Sequence, residues 1–175
     1  ALMAGQADRQ SLLINLGGGV IGDMGGFCAS TFKRGMDFIQ MPTTLLSQVD
    51  ASIGGKLGID FEQIKNSIGL FQNPQAVFIQ PDFIKTLSFE EVRSGFAELI
   101  KHGLIADVGE WNKIIAIKDL KQVEWVDYIV PSLYVKKRIV EEDPLEKGLR
   151  KALNFGHTIG HAIEGYALET AKPLL

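Results

Sequence analysis

One cysteine, Cys28, stands in a sequence of 175 residues. A lone cysteine excludes an internal disulfide and a zinc site built on clustered cysteines, and it fits a reducing cytoplasm. Excess basic charge is also lacking: 18 Lys and Arg face 21 Asp and Glu, a formal net charge of −3. Without a basic footprint, nucleic acid and anionic membrane surfaces drop out as partners, and any anion site must be local. No apolar run reaches the roughly 18 residues of a membrane span, and no charged-then-apolar leader opens the chain. What is present is enough apolar material for a core, 46 % of residues, in a length that suits one ordinary domain or two small ones. The glycine content is high, 19 residues, of which 10 lie between Gly17 and Gly58. That clustering marks a local device.

The first half reads as strand, glycine turn, helix, strand. Ser11 to Leu16 is a short apolar run that breaks at Gly17-Gly18-Gly19, as a buried strand entering a tight turn does. Val20 to Phe32 predicts a small-residue helix. Asp37 to Met41 predicts a second strand, stopped by Pro42, which also suits the first position of a helix over Thr43 to Val49. A loop containing Gly54, Gly55 and Gly58 follows, then a third strand at Ala76 to Ile79. This is the grammar of an α/β nucleotide-binding unit. After Leu87 it changes. Ser88 and Glu91 have capping-box spacing, and Val92, Phe96, Leu99, Ile100 and Leu104 recur at helical intervals. Further helices are expected over Val126 to Glu142 and from Leu153 to Leu168. The fold class is therefore an α/β, Rossmann-like portion (residues 1–87) followed by an all-helical portion (residues 88–175).

Several constellations are able to carry chemistry. Gly17 to Gly22 satisfies G-x-G-x-x-G between a strand and a helix, where glycines admit a pyrophosphate and the helix N-terminus supplies N–H groups. A tight strand–helix crossing is the competing explanation, and no ribose-binding acid closes the second strand. Lys56 follows two glycines, a setting for reaching an anion; a solvated loop lysine is the ordinary alternative. Glu98, Lys101 and His102 share one helix face among apolar neighbours, so Glu98 needs a partner or a metal, unless it merely pairs with Lys101. His157 and His161 stand four apart, with Asn154 and Glu164 continuing the stripe. That suits a divalent metal given a further ligand, against packing histidines as the alternative. Thr158 after the first histidine excludes a zincin. Lys136, Arg138, Arg150 and Lys151 together offer a local anion site.

These motifs fall in a recognisable order: Leu16-Gly-Gly-Gly-Val-Ile-Gly-Asp23, Pro42-Thr-Thr-Leu-Leu46, Val49-Asp-Ala-Ser-Ile-Gly-Gly-Lys56, Gly95-Phe-Ala-Glu-Leu-Ile-Lys-His102 and Asn154-Phe-Gly-His-Thr-Ile-Gly-His161. The series resembles the 3-dehydroquinate synthase family over essentially the whole chain. The resemblance implies an NAD- and zinc-dependent lyase, with cobalt as an alternative metal, acting on 3-deoxy-D-arabino-heptulosonate 7-phosphate in the shikimate pathway. A transient oxidation by NAD⁺ acidifies a neighbouring proton, phosphate is eliminated, and the cofactor returns unchanged.

By that resemblance, Gly19, Val20, Ile21, Gly22, Asp23, Thr43, Thr44, Asp50, Lys56, Lys65, Phe83, Thr86 and Leu87 contact NAD. Glu98 and His157 are zinc ligands. Lys56, Asn66, Asn154 and His161 surround the substrate phosphate, with Arg34 reaching the site of a neighbouring subunit in a homodimer. Lys101, Lys136 and Arg150 hold ring hydroxyls and carboxylate. Family members are roughly twice as long. Part of the NAD site is expected before Ala1 and the third zinc ligand just after Leu175, so the 175 residues alone are expected to be inactive. Competing assignments are a related sugar-phosphate cyclase, a metal-dependent polyol or glycerol-phosphate dehydrogenase, and a non-catalytic nucleotide-binding or assembly fragment.

Overall fold

The computed structural model describes residues 1–62 and 64–170. The side chains of Lys65, His161 and Glu164 lie outside the described part, as does everything after Thr170. Strand β1 (Leu12–Gly17) runs into helix α1 (Gly19–Thr31), and β2 (Asp37–Pro42) follows. A hairpin of β3 (Lys56–Phe61) and β4 (Ile64–Phe71) precedes a short β5 (Ala76–Val77). β1, β2 and β5 form a three-stranded parallel sheet in that order, and β3 pairs with β4 antiparallel.

Small residues make the packing possible. A Cβ on Gly25 would fall 1.9 Å from Asn15 Oδ1, and one on Gly26 2.4 Å from Leu57 Cδ2. α1 thus lies closer to β1 and β3 than any side chain would permit. Ala29, Met36, Phe38 and Leu57 close this smaller core. The sheet's other face is open: Leu12, Ile14 and Leu16, alternating along β1, are 50, 54 and 56 % exposed.

After β5 the described residues form helices and the loops that join them. α2 (Phe89–Ala106) is capped as expected, with Ser88 Oγ accepting from Glu91 N–H. α3 (Val108–Ile115) is capped by Asp107, whose Oδ1 accepts from Gly109 and Glu110. α4 spans Val126–Glu142 and α5 His157–Glu169. The larger core joins both portions: Leu45, Val49 and Ile84 pack with Val92, Leu99, Ile114 and Ile129. Each such side chain contributes about 1.5–3 kcal/mol, which makes this cluster the main tie between them.

Four expectations need correction. The Gly54–Gly58 stretch is a turn leading into a hairpin, because Gly54 and Gly55 take positive φ (103° and 65°) and redirect the chain into β3. The helix expected over Thr43 to Val49 starts later and is wider, helical at residues 45–46 and continuing as a π-type turn over Ser47–Ala51. The last helix begins at His157, since Gly156 at φ 84° breaks it from a 3-10 turn at Leu149–Asn154. Asn154 therefore does not continue the α5 stripe. α3, too short for a full periodic signal, was not anticipated.

Candidate active site

The polar centre forms where the π-type turn meets α2 and α4. That turn carries Asp50, α2 carries Glu98, Lys101 and His102, and α4 carries Ser132 and Lys136 one turn apart on one face. Gly95 lets α2 approach, since a Cβ there would lie 2.5 Å from Leu46 N. Lys136 Nζ donates to Asp50 Oδ1 at 2.7 Å and also to the Asp50 carbonyl. Lys101 pairs with Glu98. The side chains of Lys101 and Lys136 are 8 and 6 % exposed, so neither is a solvated surface lysine.

Charge and burial oppose each other here. Burial alone would raise the Asp50 carboxyl, but Lys136 and then Lys101 overcome it and hold it at about 2. Burial pushes Lys136 below the usual lysine range, against the pull of Asp50. His102 is pushed down to about 4, by burial first, and is therefore neutral at pH 7. Its Nδ1 meets Ser132 Oγ at 2.6 Å, and its Nε2 stands 4.0 Å from Asp50 Oδ1.

A second cluster adjoins the first. Arg150, 2 % exposed, donates to the carbonyls of Pro144 (2.7 Å) and Gly54 (2.8 Å) and lies 5.7 Å over the Phe71 ring. Two of its five N–H donors are thus spent tying loops together. Lys56, at the start of β3, pairs with Glu146, which also accepts from Asn154 Nδ2. Lys56, Asp23 and Asn66 line a cavity of about 450 Å³. Asp23 is raised to about 6, chiefly by burial.

The other residues singled out in the sequence are dispersed. Gly18 precedes α1, so Gly19, Val20, Ile21 and Gly22 form its first turn. Thr43 N–H donates to the Gly17 carbonyl at 2.9 Å, and Thr44 Oγ1 donates to Ser47 Oγ at 2.8 Å. Both threonines therefore sit beside the glycine turn. Phe83 and Thr86 belong to a 3-10 turn at Pro81–Thr86, closed by Leu87 N–H on the Ile84 carbonyl. Arg34 lines a different cavity with Arg9 and Asp37, on a strained loop where Lys33 and Arg34 have φ of 47° and 73°. Arg138 and Lys151 are exposed and do not join the anion cluster.

Asp50, Glu98 and His102 each bring a donor atom within 4.8 Å of the others, a spacing that suits a divalent metal; His157 is not in this group. The donor chemistry fits such an ion at Glu98, a partly buried carboxylate beside an imidazole. Lys101 and Lys136 already neutralise the two acids. Sequence reasoning missed three contributors: His102 as a neighbour of Asp50, Ser132, and Glu146. The sequence carried two signals: His102 on one face with Glu98 and Lys101, and the four-residue spacing of Ser132 from Lys136. Glu146 sits at φ 58°, a loop geometry that periodicity does not announce.

Comparison with known proteins covers nearly the whole chain. The family described as 3-dehydroquinate synthase N-terminal matches residues 1–94, and 3-dehydroquinate synthase C-terminal matches residues 95–171. The 3-dehydroquinate synthase of Parabacteroides distasonis is 51 % identical over 171 residues, covering 97 % of this chain and 48 % of that protein. A crystal structure of 2-deoxy-scyllo-inosose synthase with carbaglucose-6-phosphate, NAD⁺ and Co²⁺ superposes with TM-score 0.87 and 28 % identity, over 95 % of this chain and 47 % of that one. The 2-epi-5-epi-valiolone synthase of Streptomyces hygroscopicus subsp. jinggangensis, with NAD⁺ and Zn²⁺ bound, gives TM-score 0.83 and 27 % identity over 95 and 48 % of the two chains. The chain spans about half the length of the curated relatives it matches.

Proposed function

The chain belongs to the 3-dehydroquinate synthase family, and from that premise we propose that it carries the reaction centre of such a lyase. The reaction converts 3-deoxy-D-arabino-heptulosonate 7-phosphate to 3-dehydroquinate and phosphate. The observation that carries this reading is the burial of Lys101, Lys136 and Arg150 beside Asp50 and Glu98 in a chain of net charge −3. Buried cations so placed are suited to holding an anion through charge-assisted hydrogen bonds.

In this reading residues 1–87 present the cofactor and residues 88–175 the metal and substrate groups. The first turn of α1, with Asp23, Thr43 and Thr44, holds a dinucleotide; Asp50, Lys56, Lys65, Phe83, Thr86 and Leu87 complete its surroundings. Bound NAD and a divalent metal supply a hydride acceptor and a Lewis acid. Glu98 would hold the metal, with His157 as the ligand that family resemblance supplies. Lys136, steadied by Asp50, and Lys101 orient the ring oxygens by charge-assisted hydrogen bonds. Arg150 keeps donors for the carboxylate after anchoring Gly54 and Pro144. By family resemblance Lys56, Asn66, Asn154 and His161 would bind the phosphate, and Glu146 restrains the Lys56 and Asn154 side chains. Burial of Lys101, Lys136 and Arg150 strengthens the contacts these three would make. A homodimer would bring Arg34 of a second copy to the phosphate, and a cytoplasmic enzyme would fit the single cysteine.

The test is a graft. This segment replaces its counterpart in the Parabacteroides distasonis enzyme, and inorganic phosphate is followed after adding the heptulosonate phosphate, NAD⁺ and zinc. Phosphate release with no accumulation of NADH is expected. A folded chimera that releases none, or that forms NADH in proportion to product, contradicts the proposal. The likeness to 2-deoxy-scyllo-inosose synthase and 2-epi-5-epi-valiolone synthase favours one second reading, a sister cyclase acting on a sugar phosphate without a carboxylate. The chimera would then turn over such a substrate in preference to the heptulosonate.

A further inference from the structure

The proposed reaction leaves His102 without a task, although it is 2 % exposed at the heart of the centre. Its Nδ1 is engaged by Ser132 Oγ at 2.6 Å, while its Nε2 is buried with no hydrogen-bond partner, 4.0 Å from Asp50 Oδ1. A buried ring nitrogen left unmatched is uncommon and calls for an explanation.

Two are available. If Nε2 is a bare lone pair, it awaits a metal together with Asp50 and Glu98. If Nε2 carries the proton, it is a donor facing a carboxylate slightly out of reach. The surroundings favour the second. Both acids are already neutralised by buried ammonium groups, Asp50 by Lys136 and Glu98 by Lys101. Asp50 is also the charge that acts most strongly on the ring, and it favours a proton on the side facing it. The Ser132 hydroxyl is able to donate to Nδ1, which is the partner that tautomer requires.

We propose that His102 is a positioning residue and not a metal ligand: Ser132 holds its ring with Nε2–H towards Asp50, and this donor takes over the Asp50 carboxylate when Lys136 turns to an anionic substrate. Ser132 and Lys136 lie one turn apart on α4, so one helix face carries both the present partner of Asp50 and the group that readies its successor. Asp50 is then never left unpaired in a buried site, and Lys136 is released without the cost of stranding a charge. The proposal rests on the function above only in naming the anion that draws Lys136 away.

The test is a nitrogen–proton correlation spectrum of the full chain labelled at its 3 histidines, with the His102 signals assigned by their loss in His102→Gln. The expected result is the Nε2–H tautomer, unchanged when zinc is added. Lys136→Met imitates the departed lysine; its His102 Nε2–H signal should move downfield and exchange roughly tenfold or more slowly, as a hydrogen bond to a carboxylate requires. Should that variant fail to fold, Ser132→Ala is expected to give a mixture of tautomers. A wild-type spectrum showing Nδ1–H overturns the proposal. Loss of the Nε2 proton on adding zinc also overturns it, by making His102 a ligand. Neither result bears on phosphate release by the graft, so the two ideas fail separately.

Discussion

The two sides of the polar centre are built from different materials. On the α/β side the useful surface is backbone and small polar groups: the glycine turn before α1, Thr43, Thr44, and the turn bearing Asp50. On the helical side it is long charged side chains, Lys101 and Lys136, held in near-complete burial. A change on the first side acts through space, because Gly25 and Gly26 of α1 stand where no Cβ fits. A change on the second acts through charge, because each ion leaves an unpaired partner.

The largest effect separating them is expected at Lys136. Lys136→Met should destabilise the chain by about 3 kcal/mol in urea unfolding, the low end for breaking a buried pair, because His102 takes over Asp50. The exposed neighbour Lys137, 3.7 Å from Glu141, should change stability by no more than about 0.5 kcal/mol when replaced by methionine. Equal losses at the two positions would erase the contrast.

Steric effects come next. Gly25→Ala, which drives a methyl into Asn15, should cost about 1–3 kcal/mol. Gly160→Ala in α5, where nothing among the described residues lies within 4 Å of the added carbon, should stabilise by up to about 1 kcal/mol through helix propensity. Thermal melts of the pair decide whether close approach or glycine content governs this fold.

The smallest effect is one of pH. The Asp143 carboxylate accepts from the backbone N–H groups of Lys147, Gly148 and Arg150, and the first two hold it below its ordinary value of 3.8. Its folded value is depressed, so its contribution is complete above 3.8 and fades as pH falls through that lower value. Amide exchange at Lys147 and Gly148 should therefore accelerate there relative to neighbouring amides. Asp143→Asn should remove that change.

The same contrast explains what the sequence made legible. Ser88 and Glu91 announced the start of α2, and the apolar spacing from Val126 gave α4 its full length. The β3–β4 hairpin stayed hidden because Gly58 and Gly69 interrupt the alternation a strand would otherwise display, and because Gly54 and Gly55 read as loop. Glu98 and Lys101 were recognisable as a pair from their spacing alone. His102 was not recognisable as a neighbour of Asp50, since that depends on Ser132, thirty residues further on, and on a π-type turn that no local pattern predicts.

The central claim is that charge buried between these two sides performs the reaction. Its most direct test is phosphate release by the grafted enzyme carrying either Lys136→Met or Arg138→Met, two cations on the same helix, one buried and one exposed. Loss of about 100-fold or more in the first, with the second unchanged, is the predicted result. Equal activity in both, in folded protein, would contradict it.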